Sequence, residues 1–160
     1  MATILILEER GDLERVEVDL KPRDMPERSF YAFPKVIKWL DEQLPLLQAV
    51  LDENRQSPLE QVDFLLYEFV RGASIVHWNQ AHIMRPNRNG VWELKTPDVR
   101  FFGWFACKDC FVAAEAASAE QVKAHSLYHG YSNQVVYQRS ILDLDEPKYV
   151  DGGIDSVLSA

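Results

Sequence analysis

Residues 107–129 contain cysteine and histidine side chains at a spacing that suits a metal site. Cys107 and Cys110 are separated by two residues, and His125 and His129 follow after a spacer of fourteen. Thiolates and imidazole nitrogens are preferred ligands of Zn²⁺, and this C-x2-C-x14-H-x3-H pattern falls inside the spacings of known zinc sites. The pattern therefore predicts a structural zinc ion held by these four side chains.

The elements predicted around these residues would bring the two pairs together. Lys108-Asp109 is typical of a two-residue hairpin turn, so the thiols on either side of it would converge. Ser118 opens a capping box for a helix that we expect to end at Gly130, and histidines four apart share one helix face. A return strand of about four residues before this helix would place both pairs at one height. Two alternatives stay open: free thiols beside helix-surface histidines, and a redox-active cysteine pair.

The segment 104–130 resembles a C2H2 zinc finger, in which a hairpin carries the CxxC pair and a helix carries the HxxxH pair. Phe105 and Val122 stand where such fingers keep apolar residues. The helix start around Ser118 lacks the basic residues with which a DNA-binding finger contacts bases. The resemblance therefore implies a structural zinc ion, and we expect no reading of DNA.

The rest of the chain predicts an α+β fold. The apolar run Thr3–Leu7 and the alternating residues 16–20 favour an N-terminal β-hairpin. Pro34 and Ser57-Pro58 mark helix starts, and Pro45 interrupts the first of these helices. Strands are then expected at four segments: 91–95, 99–106, 111–114 and 135–137. The first three would form an antiparallel meander with helices packed on one face and a short helix after it.

Composition and charge favour a soluble, cytoplasmic protein. The 160 residues are 47% apolar, and neither a signal-peptide pattern nor a run near the ~18 apolar residues of a membrane span is present. The net charge of -8 argues against nonspecific binding of nucleic acid, although residues 71–108 carry six Lys and Arg against two Asp and Glu. We predict one α+β domain over residues 1–142 and an acidic tail over residues 143–160.

Three short motifs carry a second resemblance: Ser57-Pro-Leu-Glu-Gln-Val62 entering a helix, Gly90-Val-Trp-Glu-Leu-Lys95, and Val99-Arg-Phe-Phe102. Over residues 57–117 the chain resembles the RelE/HigB-like toxin family, including its phage-derived branch. The resemblance implies a small α+β RNase that cleaves mRNA in the ribosome and is neutralised by a partner antitoxin. It implies catalytic roles for Lys95 and Arg100, which would stabilise charge on the phosphate. Arg85 and Arg88 would help to bind the RNA.

Two functions remain as hypotheses. The preferred one is a zinc-stabilised binding or regulatory protein of phage or mobile-element type with a RelE-like fold. The sequence does not identify its partner, for which an antitoxin or a host protein is a candidate. The alternative is a ribosome-dependent RNase toxin of a toxin–antitoxin pair. The acidic charge favours the first, as does the lack of basic residues at 111–117. In that case Lys95 and Arg100 are ordinary polar positions on half-buried strands.

Overall fold

The chain has an α+β fold, as predicted. A computed structural model describes residues 1–50, 56–75, 81–83 and 89–159. The helices are α1 (Ile4–Arg10), α2 (Pro34–Glu42), α3 (Pro58–Val70), α4 (Ala119–Ala124), α5 (Tyr128–Ile141) and α6 (Ile154–Val157), with a 3-10 turn at Leu44–Leu46. The strands are β1 (Glu14–Arg15), β2 (Ser29–Ala32), β3 (Ala81–Ile83), β4 (Trp92–Lys95), β5 (Val99–Cys107) and β6 (Cys110–Ser118).

These strands form one mixed sheet in the order β1-β2-β6-β5-β4-β3. The predicted meander is confirmed, because β4, β5 and β6 are antiparallel neighbours. β2 joins β6 in parallel, with Phe30 opposite Phe111. The register of β5 against β6 shifts at Gly103, where an added Cβ would lie 1.9 Å from the carbonyl oxygen of Val112. The two strands can approach this closely because Gly103 has no side chain.

Helices cover both faces of the sheet, whereas one covered face was expected. β5 is buried at every position from Val99 to Phe105, so its alternating side chains enter two cores. The first core lies beneath α2, α3 and α6 and is rich in aromatic rings: Phe30, Phe69, Phe101, Phe105 and Phe111. The second lies beneath α1 and α5 and contains Leu7, Phe102, Trp104, Val112 and Val135.

The N-terminal strand pair is present, but different segments form it. β1 and β2 are antiparallel partners, with Glu14 opposite Ala32. The apolar run predicted as the first strand is helix α1, because Thr3 caps its start with a hydrogen bond from Ile6 N–H and Gly11 ends it at a φ of 82°. A short apolar run fits a strand and a helix equally well, and here the flanking caps decide.

The helix predicted from Ser118 to Gly130 is shorter than expected. The Ser118 hydroxyl caps α4 as predicted, accepting from Gln121 N–H at 3.2 Å. The helix then ends in a Schellman motif: Ser126 has a φ of 52°, and Leu127 N–H donates to Val122 O. α5 begins directly afterwards and runs through residues 135–137, so the strand predicted there is wrong.

The segment after residue 142, expected as an acidic tail, packs against the sheet. Leu144 bridges in parallel to Ala2, and the carbonyl of Lys148 accepts a hydrogen bond from the Trp104 indole at 3.0 Å. Val157 and Leu158 are buried in the first core. Within the described ranges, no helix combines the length and the apolar character needed to cross a bilayer.

Candidate functional site

The four predicted zinc ligands lie at opposite ends of β6. Cys107 ends β5 and Cys110 begins β6, while His125 follows α4 beyond the far end of that strand. The sequence predicts a strand of about four residues here, but β6 has nine and spans about 26 Å. Helix α4 has only six residues and returns about 9 Å. The histidines therefore stay well short of the cysteines.

The position of the start of α5 also keeps the histidines away from the cysteines. Tyr128, next to His129, packs edge-on against Phe102 at a ring distance of 6.1 Å. Phe102 lies five residues before Cys107 on β5, about 16 Å along the strand. His125 and His129 are both exposed. This placement keeps the histidines apart from the cysteines. In the described ranges no three His, Cys, Asp or Glu side chains form a group that could hold a metal ion.

Of the four predicted zinc ligands, only the two cysteines lie next to each other. They are Cα partners across the Lys108-Asp109 turn, as predicted. Cys107 is exposed and Cys110 is buried. A hydrogen bond from the Cys110 thiol lowers the pKa of Cys107 to about 7, against the opposing effects of burial and of Asp109. The same hydrogen bond, together with burial, raises the pKa of Cys110. The pair is thus asymmetric: Cys107 is accessible, and it ionises more readily than the buried Cys110.

Asp109 fixes this turn to the rest of the fold. It adopts a φ of 66°, and its backbone N–H donates to Val157 O at 2.8 Å. Its carboxylate accepts from Ser159 N–H at 2.8 Å and from the Ser159 hydroxyl at 2.5 Å. Arg28, whose side chain is 4% exposed, places its Nε 3.6 Å from the same carboxylate. The cysteine pair is therefore carried by a turn that these contacts anchor to Arg28 and to the C-terminal segment.

The predicted RNA-cleaving residues lie elsewhere on the sheet. Lys95 and Arg100 are cross-strand partners on β4 and β5. Arg100 is 4% exposed, and its guanidinium donates to the carbonyls of Thr96 and Val99. Its cation is thus engaged inside the protein and does not reach a surface phosphate. The two predicted RNA-binding residues, Arg85 and Arg88, lie outside the described residues.

A groove that the sequence did not indicate separates residues 17–21 from the outer face of α3. It encloses about 640 Å³, and we call it the acidic groove. Its lining carries four carboxylates and one lysine around apolar and aromatic side chains: Glu17, Val18, Asp19, Lys21, Asp63, Phe64, Leu66, Tyr67 and Glu68. Phe64 is 55% exposed and lies off the buried face of α3. The one signal of this groove in the sequence is Phe64, an aromatic residue that is out of phase with the apolar positions of the helix.

The charge of the acidic groove is partly compensated at one end. Glu68 forms two hydrogen bonds with Arg71, at 3.0 and 2.9 Å. Lys21 places its ammonium 5.8 Å from the centre of the Tyr67 ring, whose hydroxyl donates to Asp24. Burial raises the pKa of Asp63, and Glu60 adds to this shift. Glu17, Asp19 and Asp63 form no ion pair with the described residues, so their negative charge is left on the rim.

One wall of the groove is the segment that follows the edge strand β1. Val16 N–H donates to Phe30 O at 2.9 Å, which continues the β1–β2 pairing by one residue. From Val16 to Leu20 half-buried and exposed side chains alternate. The N–H and C=O groups of residues 17–20 make no hydrogen bond to the described part of the chain. This edge can therefore pair with an added strand.

Comparisons with known proteins identify no relative of this chain. A scan against protein-family models finds no match, and searches of curated proteins and of solved structures find none either. The resemblances to RelE/HigB-like toxins and to zinc fingers gain no support from these searches.

Proposed function

We propose that this protein is a binding protein whose acidic groove takes up a basic, extended segment of a partner protein. The observation that carries the proposal is the coincidence, in one groove, of an acidic rim, an exposed aromatic ring and a sheet-edge segment whose N–H and C=O groups make no hydrogen bond to the described part of the chain. The proposal keeps the binding role preferred from the sequence and moves it to residues 17–21 and 63–68.

Strand addition explains how such a segment would be held. The partner backbone would pair with residues 17–20, which supplies binding energy independent of sequence. Its alternate side chains would point toward α3, where Phe64 and Tyr67 offer apolar surface. Lysine or arginine suits these positions, because the aliphatic stem packs on a ring while the charge reaches a carboxylate. Asp19 and Asp63 provide those carboxylates on the two walls.

The expected strength is modest and depends on salt. Each ion pair at such an exposed rim contributes about 0.2–1 kcal/mol, and added salt screens it. Affinity therefore has to come from backbone pairing and apolar contact together, with charge selecting a basic segment over an acidic one.

Fluorescence anisotropy with two labelled peptides tests the proposal. One peptide alternates lysine with valine, and the other alternates glutamate with valine. We expect saturable binding of the lysine peptide alone, weakened when the salt concentration is raised about tenfold. Asp63→Lys should weaken binding by about tenfold, because it turns an attraction on the groove wall into a repulsion.

A matched control is available on α1. Glu9→Lys makes the same change of charge at an exposed position that does not line the groove, and it should leave the affinity unchanged. Absence of binding by the lysine peptide would overturn the proposal. Equal binding of both peptides, or equal loss in Asp63→Lys and Glu9→Lys, would also overturn it.

A further inference from the structure

We infer that Cys107 and Cys110 form a reversible redox pair that exchanges with a disulfide co-reactant, with Cys107 as the attacking sulfur. This inference is independent of the acidic groove and concerns the hairpin between β5 and β6. It takes up the redox alternative that the spacing of the cysteines leaves open.

Distance is the first requirement, and the hairpin meets it. Direct partners on antiparallel strands have Cα atoms about 4.5–5.5 Å apart, inside the range of about 4.4–6.8 Å that a disulfide requires. Cys107 and Cys110 are such partners, on either side of the two-residue turn. A disulfide can therefore close by rotation of the two side chains.

The unequal exposure of the thiols assigns their roles. Cys107 is exposed, so a disulfide from solution can approach it. Cys110 is 8% exposed and is reached from its neighbour rather than from solvent. The hydrogen bond donated by Cys110 stabilises the Cys107 thiolate, which is the nucleophilic form of cysteine.

The exchange balances in two steps. The Cys107 thiolate attacks one sulfur of the co-reactant, whose S–S bond breaks; the released thiolate takes a proton from water, and a mixed disulfide remains on Cys107. The Cys110 thiol then loses its proton and attacks the Cys107 sulfur, so that the mixed bond breaks and the second thiol leaves with that proton. The protein dithiol is oxidised by two electrons, and the co-reactant disulfide is reduced to two thiols.

The anchored turn favours the second step. Asp109, between the cysteines, is hydrogen-bonded to Ser159 and lies beside Arg28. The turn therefore holds Cys110 next to Cys107 while the mixed disulfide exists. Holding two reacting groups in place converts a bimolecular step into a much faster unimolecular one.

Glutathione disulfide is a suitable probe, with intact-mass analysis of the full chain as the readout. The wild type should lose two hydrogen atoms without a lasting adduct, and dithiothreitol should reverse the change. Cys110→Ser should accumulate one glutathionyl group on Cys107, because no second thiol is left to release it. Cys107→Ser should form an adduct at least about tenfold more slowly, since its remaining thiol is buried.

Thiol labelling of the unmodified protein gives a readout without variants. Brief exposure to N-ethylmaleimide followed by peptide mapping should find Cys107 modified before Cys110. A wild type that keeps both thiols free in glutathione disulfide would overturn the inference. Adduct formation in Cys107→Ser as fast as in Cys110→Ser, or prior labelling of Cys110, would also overturn it.

Discussion

Substitution of Asp109 by alanine should destabilise the protein more than a substitution in an exposed turn usually does. The variant loses the two hydrogen bonds from Ser159 and leaves the buried Arg28 guanidinium without its carboxylate. Breaking a fully buried ion pair costs about 3–5 kcal/mol, and the partial exposure of Asp109, at 21%, reduces this. The Arg28 guanidinium also keeps its bonds to the carbonyls of Phe69 and Ala73, at 3.2 and 2.8 Å. We expect a net loss of about 3 kcal/mol in the free energy of unfolding.

Urea unfolding followed by tryptophan fluorescence measures this loss, since Trp104 is fully buried in the folded state. The midpoint of thermal unfolding should fall by about 6–12 °C for a chain of this size. Asp145→Ala removes an exposed carboxylate of the same type and should cost less than about 0.5 kcal/mol. An Asp109→Ala variant as stable as Asp145→Ala would refute the view that this carboxylate anchors the turn.

Two further predictions concern the close approach in β5 and the reactive thiol. Gly103→Ala should lower the free energy of unfolding by at least about 2 kcal/mol in urea titrations, because the new Cβ would overlap the Val112 carbonyl. Gly130→Ala is its control: the added Cβ meets open space on α5, so the variant should gain up to about 1 kcal/mol, and the same sign in both would refute the reasoning. Alkylation of Cys107 by iodoacetamide should reach half its maximal rate near pH 7 and fall below it, since its pKa is lowered to about 7 and only the thiolate reacts. A midpoint near pH 8.5, the value of an ordinary thiol, would contradict the hydrogen bond from Cys110.

Local signals in the sequence predict the central part of the fold well. Helix α3 begins where Ser57 and Pro58 indicate, with the Ser57 hydroxyl accepting from Glu60 N–H at 3.1 Å. The hairpin turn at Lys108-Asp109 also lies where it was predicted, between two aromatic strands. In both cases the decisive interaction joins residues a few positions apart, so the pattern contains the information needed.

Errors arise where the decisive interaction is distant or its signal is weak. β2 pairs in parallel with β6, about eighty residues later in the chain, and nothing in its four residues indicates this partner. α4 ends just before Ser126, which adopts the left-handed conformation that glycine usually adopts, whereas the sequence pattern predicts the end at Gly130. That one helix boundary and the length of β6 separate the predicted histidine ligands from the cysteines.

The two candidate sites differ in the same way. The cysteine pair is local, and its spacing alone was enough to single it out. The acidic groove joins residues 17–21 to residues 63–68, which become neighbours only when α3 packs beside the sheet edge. Charge patterning could not reveal it, because its carboxylates are spread among many others in an acidic chain.

Backbone NMR of the isotope-labelled protein, titrated with the alternating lysine–valine peptide, tests the binding role most directly. We expect the largest amide shifts on residues 17–21 and on the outer face of α3 around Phe64. The amides of residues 17–20 should also become protected from hydrogen exchange as they pair with the peptide backbone. Shifts that map to another surface, or edge amides that exchange as fast with the peptide as without it, would contradict the account.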